Sequence, residues 1–355
     1  MLSNSFDRKP KTKRNYYTVI KMKIVSFLCD GERYNCRIVA APCFTWQIKG
    51  AESQSSFCLK VFEGRSVIYD SGDVISSAKI SVTEISLKAE TEYVAVLSVT
   101  ASHGETATAK CKFHSALTEG FDKRAKWISA PEIKLGIGGN PAAYFKKEFC
   151  IAEVPKHAFA YVAGLGLYDI SVNGYTVDKE VLKQPFTNYS KKIFYGVHNV
   201  ADYLKEGVNT VEIVLADGWY NQNAKDTWKF WQAEWKDINK FIFQIDVGEK
   251  IFSDGTWKVC TDGIIVRSAL RLGEIHDFRR IPSYKDFAVM AQAPQGRVTP
   301  RIGNPIKETE KLLPKNVKKT EDGFLYDFGR NIIKHFYHQI ARKDTESFRN
   351  RKNII

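Results

Sequence analysis

The stretch richest in groups that could do chemistry is Ala216-Asp217-Gly218-Trp219-Tyr220-Asn221, directly after an apolar run that ends at Leu215. A carboxylate, two rings and an amide at the exit of a strand are what a sugar site needs. Rings stack on the apolar face of a pyranose, while carboxylate and amide bond its hydroxyls. The competing explanation is a corner in which Trp219 and Tyr220 plug a sandwich and Asp217 bonds turn amides, the ordinary fate of large rings. A second group, Trp228, Trp231 and Trp235, has a spacing that would place all three on one helical face. They could form a carbohydrate platform, although so many rings in one loop more often dock it onto a core. The third group, Gly273-Glu274-Ile275-His276-Asp277-Phe278-Arg279, sets two carboxylates beside an arginine. Paired carboxylates are the machinery of glycoside hydrolysis; the simpler account is an ion pair between Asp277 and Arg279. The sequence has no zinc-protease, serine-hydrolase or phosphate-loop motif, and Gly136-Ile137-Gly138-Gly139-Asn140 lacks the last spaced glycine and the helix that a dinucleotide site requires.

These residues must be positioned by strands. From Met22, which fits a translation start, to about residue 118, short β-segments are expected at 44–48, 56–62, 66–69, 79–85, 93–100 and 106–113. Turn residues separate them, as at Asp70-Ser71-Gly72-Asp73, so residues 22–118 read as a fibronectin III or immunoglobulin-like β-sandwich. Residues 119–126 read as a linker. A second all-β block over 127–282 alternates clearly at 158–162 and 168–172, and Asn173-Gly174 is a strong hairpin signal. Further strands are expected at 192–197, 210–216, 240–247 and 257–261, with one helical turn at 199–204 closed by Gly207. So many strands with so little helix suggest a jelly roll. Residues 283–355 start a third β-domain at 323–328 but do not complete it; from Lys334 to Ile355 no pattern remains, and a poorly packed tail is expected.

Composition narrows the function classes. The 355 residues carry a formal charge of +13, of which residues 1–23 hold +6 and residues 341–355 hold +3, leaving +4 for everything between. A body this close to neutral is a poor nucleic-acid footprint, and solvated basic ends explain the charge better. The seven cysteines are odd in number, widely spaced and without a C-x-x-C pair, which argues against a disulfide framework or zinc site and for a reducing cytoplasm. The apolar run at 18–29 is interrupted by Lys21 and Lys23, so neither export nor a membrane span is expected.

Several runs together resemble one family. AYVAGLGLYDISVNG at 160–174, PFTNY at 185–189, NVADYLKEGVN at 199–209 and LADGWY at 215–220 are similar, in order and spacing, to the N-terminal jelly-roll module of bacterial α-L-rhamnosidases. QSSF at 54–57, YDSGDV at 69–74 and LKAETEY at 87–93 resemble the fibronectin-type domain with which these enzymes begin. GEIHDFR at 273–279 resembles the family's G-E-x-x-D-x-R segment, and YDFGRN at 326–331 the opening of its next β-domain. The resemblance implies non-catalytic β-domains that, in some relatives, bind rhamnose, occasionally with calcium. The inverting (α/α)6 catalytic barrel would lie further on, and the loss of pattern after Asn331 is what a frameshift or premature stop would produce. No catalytic residue is therefore assigned. The candidate sugar-binding residues are Asp217, Trp219, Tyr220 and Asn221, with Asn173 a further partner. Rhamnose-containing glycans are the expected ligands; a stand-alone rhamnose-binding module and an interaction or nucleic-acid-binding protein using the basic ends are the alternatives.

Overall fold

A computed structural model describes residues 21–330 other than 132, 134–137, 302, 304, 309, 311 and 322. The basic extension before residue 21, part of the glycine-rich stretch and the tail from Asn331 lie outside the described residues. The chain divides into two units at Ser115/Ala116.

In the first unit a three-stranded sheet (Lys23–Cys29, Cys43–Lys49, Ile80–Val82) faces a six-stranded one. The larger sheet runs Tyr34–Ile38, Thr106–Ser115, Glu92–Ala101, Gln54–Glu63 and Ser66–Asp70, with Val74–Ile75 also on Gln54–Glu63. Strict alternation makes Glu92–Ala101 one-sided: Tyr93, Ala95, Leu97, Val99 and Ala101 are buried, and the residues between them are half-exposed. The core closes on rings, with Phe44 at 5.7 Å from Phe113 and Trp46 at 4.9 Å from Phe57. This unit is an all-β sandwich.

The second unit is also a two-sheet sandwich. One sheet runs Val289–Met290, Ile128–Ser129, Lys240–Asp246, Phe159–Leu165, Lys192–Asn199 and Arg297–Pro300, with Lys250–Phe252 paired to Lys240–Asp246. The other runs Tyr175–Thr176, Leu167–Val172, Gly207–Ala216, Ala143–Ile151, Lys258–Cys260 and Asp286–Phe287. Between them Phe145 meets Phe241 edge-on at 4.8 Å, and Trp257 meets Phe241 and Phe243 at 5.4 and 5.2 Å. Asn173 and Gly174 both take positive φ, 51° and 80°, the pair that a type I′ hairpin turn demands.

Two expectations differ from what is observed. The residues from 283 to 300 do not open a new domain; their short strands extend both sheets of the second unit, the last of them in parallel with Lys192–Asn199. The helical turn expected at 199–204 is present as the 3₁₀ turn Ala201–Tyr203, with the Asn199 side chain accepting from the Ala201 N–H at 3.2 Å. Trp228, Trp231 and Trp235 do not share a helical face. Lys229 adopts the left-handed conformation at φ 57°, which admits only the short 3₁₀ turn Phe230–Gln232. Beyond the sandwich, Asn316–Thr320 and Gly323–Asp327 pair as a hairpin, where the sequence led us to expect a strand.

Trp257 is fully buried, and its indole N–H donates to the Phe252 carbonyl at 2.8 Å. Trp257→Ala removes that bond and leaves a cavity against two rings, so it is expected to cost about 3 to 5 kcal/mol. Urea unfolding followed by far-UV dichroism measures this.

Candidate functional site

The loop after Gly207–Ala216 begins beneath the sandwich edge, where two strands close tightly on it. A Cβ on Gly218 would lie 2.8 Å from the Leu167 amide nitrogen, and one on Gly166 would lie 2.5 Å from the Ala216 carbonyl oxygen at φ +144°. Only glycine permits this approach.

Asp217 is 1% exposed. Its Oδ1 accepts from the side-chain amides of Asn140 at 3.2 Å, Asn221 at 3.1 Å and Asn239 at 3.0 Å. Its Oδ2 accepts from the Asn140 backbone and side-chain N–H at 3.2 and 3.1 Å and from Asn223 at 3.1 Å. Asn221, also buried, accepts in turn from the Gly218 N–H at 2.6 Å. Burial pushes the Asp217 carboxyl above its usual range, against the opposing pull of these amides. Asn140 precedes Ala143–Ile151 of one sheet and Asn239 precedes Lys240–Asp246 of the other. The carboxylate therefore ties the ends of both sheets and both ends of the loop from Gly218 to Asn239.

This placement corrects part of the sequence reading. With its oxygens filled by protein donors, neither Asp217 nor Asn221 is available to a sugar. Tyr220 is buried 5.2 Å from Tyr189. Asn173 lies at the far end of the same strand pair, opposite Thr210, whose N–H it accepts at 2.9 Å while donating to Asn209 and to the Tyr203 carbonyl. It shapes the hairpin and does not join Asp217. Of the five candidates, only Trp219 and Asn173 are half-exposed, and Asn173 is spent on the hairpin.

Trp219 belongs instead to an aromatic surface. Phe186, 43% exposed, lies 5.8 Å from Trp219, 5.1 Å from Phe230 and 6.1 Å from Trp235. Trp228 is 66% exposed and stacks on Phe230 at 6.4 Å. The Arg271 guanidinium sits 5.3 Å from the Trp219 ring and 5.1 Å from that of Trp228. Phe186 and Arg271 were not singled out from the sequence; PFTNY at 185–189 was quoted only for its family likeness, and nothing local marks Arg271.

A buried polar network anchors the segment that carries Phe186. His198 Nδ1 donates to the Asp178 carboxylate at 2.6 Å and its Nε2 shares a hydrogen bond with the Tyr168 hydroxyl at 2.9 Å, and buried Lys183 bonds Asp169 at 2.6 Å and reaches Asp178 at 3.3 Å. Burial alone would raise the Asp178 carboxyl, but the His198 bond and the charges of His198 and Lys183 hold it well below its usual range. Asp178, Glu180 and His198 lie within 4.8 Å of one another, yet Lys183 and Arg301 already balance the two acids. Calcium takes about six to eight oxygen ligands; this group, and the N–H-lined Asp217, do not fit it.

Glu274 and His276 pair at 2.7 Å within the hairpin Ile265–Ala269/Gly273–His276, and Arg279 holds Asp277 through two bonds at 2.8 and 2.9 Å. Both carboxylates are engaged internally.

Fold and surface together define an all-β assembly of sandwiches with a ring-lined face on its second unit. Comparison places it further. The α-L-rhamnosidase N-terminal domain matches residues 153–310. An α-L-rhamnosidase of Formosa agariphila is 27% identical over 346 residues, covering 82% of this chain and 36% of the relative. The solved α-L-rhamnosidase from Dictyoglumus thermophilum superposes with a TM-score of 0.76 at 25% identity, over 87% of this chain and 38% of that one. The Streptomyces avermitilis enzyme solved with L-rhamnose shares the fold, with a TM-score of 0.75 at 16% identity, over 88% of this chain and 49% of the other. Residues 153–310 thus match the N-terminal domain of α-L-rhamnosidases, and the chain is similar to the N-terminal region of these enzymes, spanning little more than a third of the Formosa relative.

Asp217→Ala strips the acceptor from the buried Asn221, Asn223 and Asn239 and the half-buried Asn140 and is expected to cost at least about 3 kcal/mol. The pH dependence has a definite sign. A carboxyl raised on folding contributes stability that is full below its ordinary value of 3.8 and is lost as pH rises through the higher folded value. The stability of wild type relative to Asp217→Asn should therefore fall as pH rises above 3.8. Urea titrations of both proteins across that range measure it.

Proposed function

We propose that this region holds rhamnose-containing glycans on the aromatic surface of its second unit and hydrolyses nothing itself. The observation that carries the reading is Trp228. A large ring two-thirds exposed, backed by Phe230 and flanked by Arg271, is costly to leave in water without a ligand and suits the apolar face of a pyranose. The S. avermitilis relative solved with L-rhamnose supports a rhamnose-related ligand. The first unit, read as a fibronectin-type domain, would act as a spacer. A cytoplasmic location with reduced cysteines belongs to the same proposal.

Calorimetry with L-rhamnose tests the site. Trp228→Ala should weaken binding at least about tenfold, or about 1.4 kcal/mol, while an exposed position keeps the thermal midpoint near that of wild type. Undiminished binding in this variant would remove the site from Trp228. Hydrolysis is tested separately with an aryl α-L-rhamnoside. Because Glu274 and Asp277 are engaged by His276 and Arg279, turnover is expected to stay at the buffer rate; turnover that disappears in Glu274→Gln would overturn the non-catalytic assignment.

A further inference from the structure

Arg271 is placed unlike an ordinary surface arginine. Its guanidinium lies between the rings of Trp219 and Trp228, within 5.3 Å of both centroids. Among the described residues its one ion contact is loose: Nε stands 3.7 Å from Asp226 Oδ2. Asp226 is mostly buried and also accepts from the Gln222 side chain at 3.2 Å and the Phe230 N–H at 3.3 Å, so its charge is directed inward. The surroundings add cations. Lys225 and Lys229 are exposed on the same loop, Lys225 with its ammonium 5.6 Å from the Trp231 ring, and Lys236 donates to the Trp231 carbonyl at 3.3 Å. Against these stand Asp226 and the exposed Glu234; Asp237 is neutralised by Lys240 at 2.5 Å.

From this juxtaposition we propose that the aromatic surface is selective for an anionic sugar, a pyranose bearing a carboxylate or a sulfate, whose ring lies on Trp228 and whose anionic group meets the Arg271 guanidinium. The inference rests on the glycan-binding reading above and narrows its ligand. Two rings hold the guanidinium plane, so little freedom is lost when a ligand arrives. A planar fork bonds a carboxylate or sulfate through two parallel N–H groups, about twice as strongly as a neutral hydroxyl. A neutral sugar would leave this cation and the neighbouring lysines unused.

The experiment is calorimetry on the full chain with methyl α-L-rhamnoside as the neutral probe, a rhamnosyl-glucuronate disaccharide and a rhamnoside sulfate as anionic probes, and a single-stranded DNA oligomer. The expected result is that at least one anionic sugar binds about tenfold more tightly than the neutral one. That advantage should shrink as salt is raised. In Arg271→Gln the ratio of anionic to neutral affinity should collapse toward one, and in Arg271→Lys, which keeps the charge but loses the fork, it should fall between the two. Thermal midpoints of both variants verify folding. Equal affinity for neutral and anionic sugars would overturn the anionic preference and leave the glycan site standing. No binding of any sugar by the folded chain would overturn both. Tighter binding of the DNA than of every sugar, lost in Arg271→Gln, would assign the surface to phosphates and overturn the proposal as well.

Discussion

The second unit depends on one buried charge. Asp217 sits where a strand of one sheet ends, and its asparagine partners sit where neighbouring strands of both sheets begin, so its carboxylate joins what the hydrophobic core alone would only stack. Burying an anion without a cation is ordinarily prohibitive. Here the amide dipoles of four asparagines replace the water shell in a dispersed solvation. The arrangement needs the strands to approach within backbone contact, which is why glycine stands at 166 and 218.

The consequence reaches the surface. Because the same carboxylate grips Asn221, Asn223 and Asn239, the irregular connection between two sheets has both its ends held, and its rings can project without unravelling it. Phe186 arrives at this surface from another segment, fastened by the buried Tyr168, His198, Asp178 and Lys183 network. Two polar clusters thus position one aromatic face. This division of labour separates the residues that hold the loop from those that a ligand could touch, and it makes the acid in the DGWY motif a structural residue.

The family likeness fits this reading. The matched portions of the relatives are their N-terminal β-domains, and the two carboxylates in GEIHDFR are not arranged for glycoside chemistry, since hydrolysis needs two carboxyls facing a sugar across a pocket. Glu274 turns to His276 and Asp277 to Arg279 within the same short segment.

Sequence by itself determined the elements whose signals are local. Turn-bounded β-segments marked 93–100, alternation marked 168–172, and Asn173-Gly174 marked a turn that both residues' positive φ values bear out. The all-β class and the family likeness followed from those runs. Ala143–Ile151 was not legible, because Lys146, Lys147 and Glu148 interrupt its alternation; it is a strand because Gly207–Ala216 and Lys258–Cys260 bond both its edges. The short strands at 286–300 likewise exist only through the sheets they join. The role of Asp217 was equally undecidable from its neighbours, since Asn140 and Asn239 come from 77 and 22 residues away. Arg271 reached Trp219 and Trp228 in the same way. Whether a carboxylate or a ring serves a ligand or the fold depends on which distant donors and rings reach it, and sheet register, a non-local property, sets that.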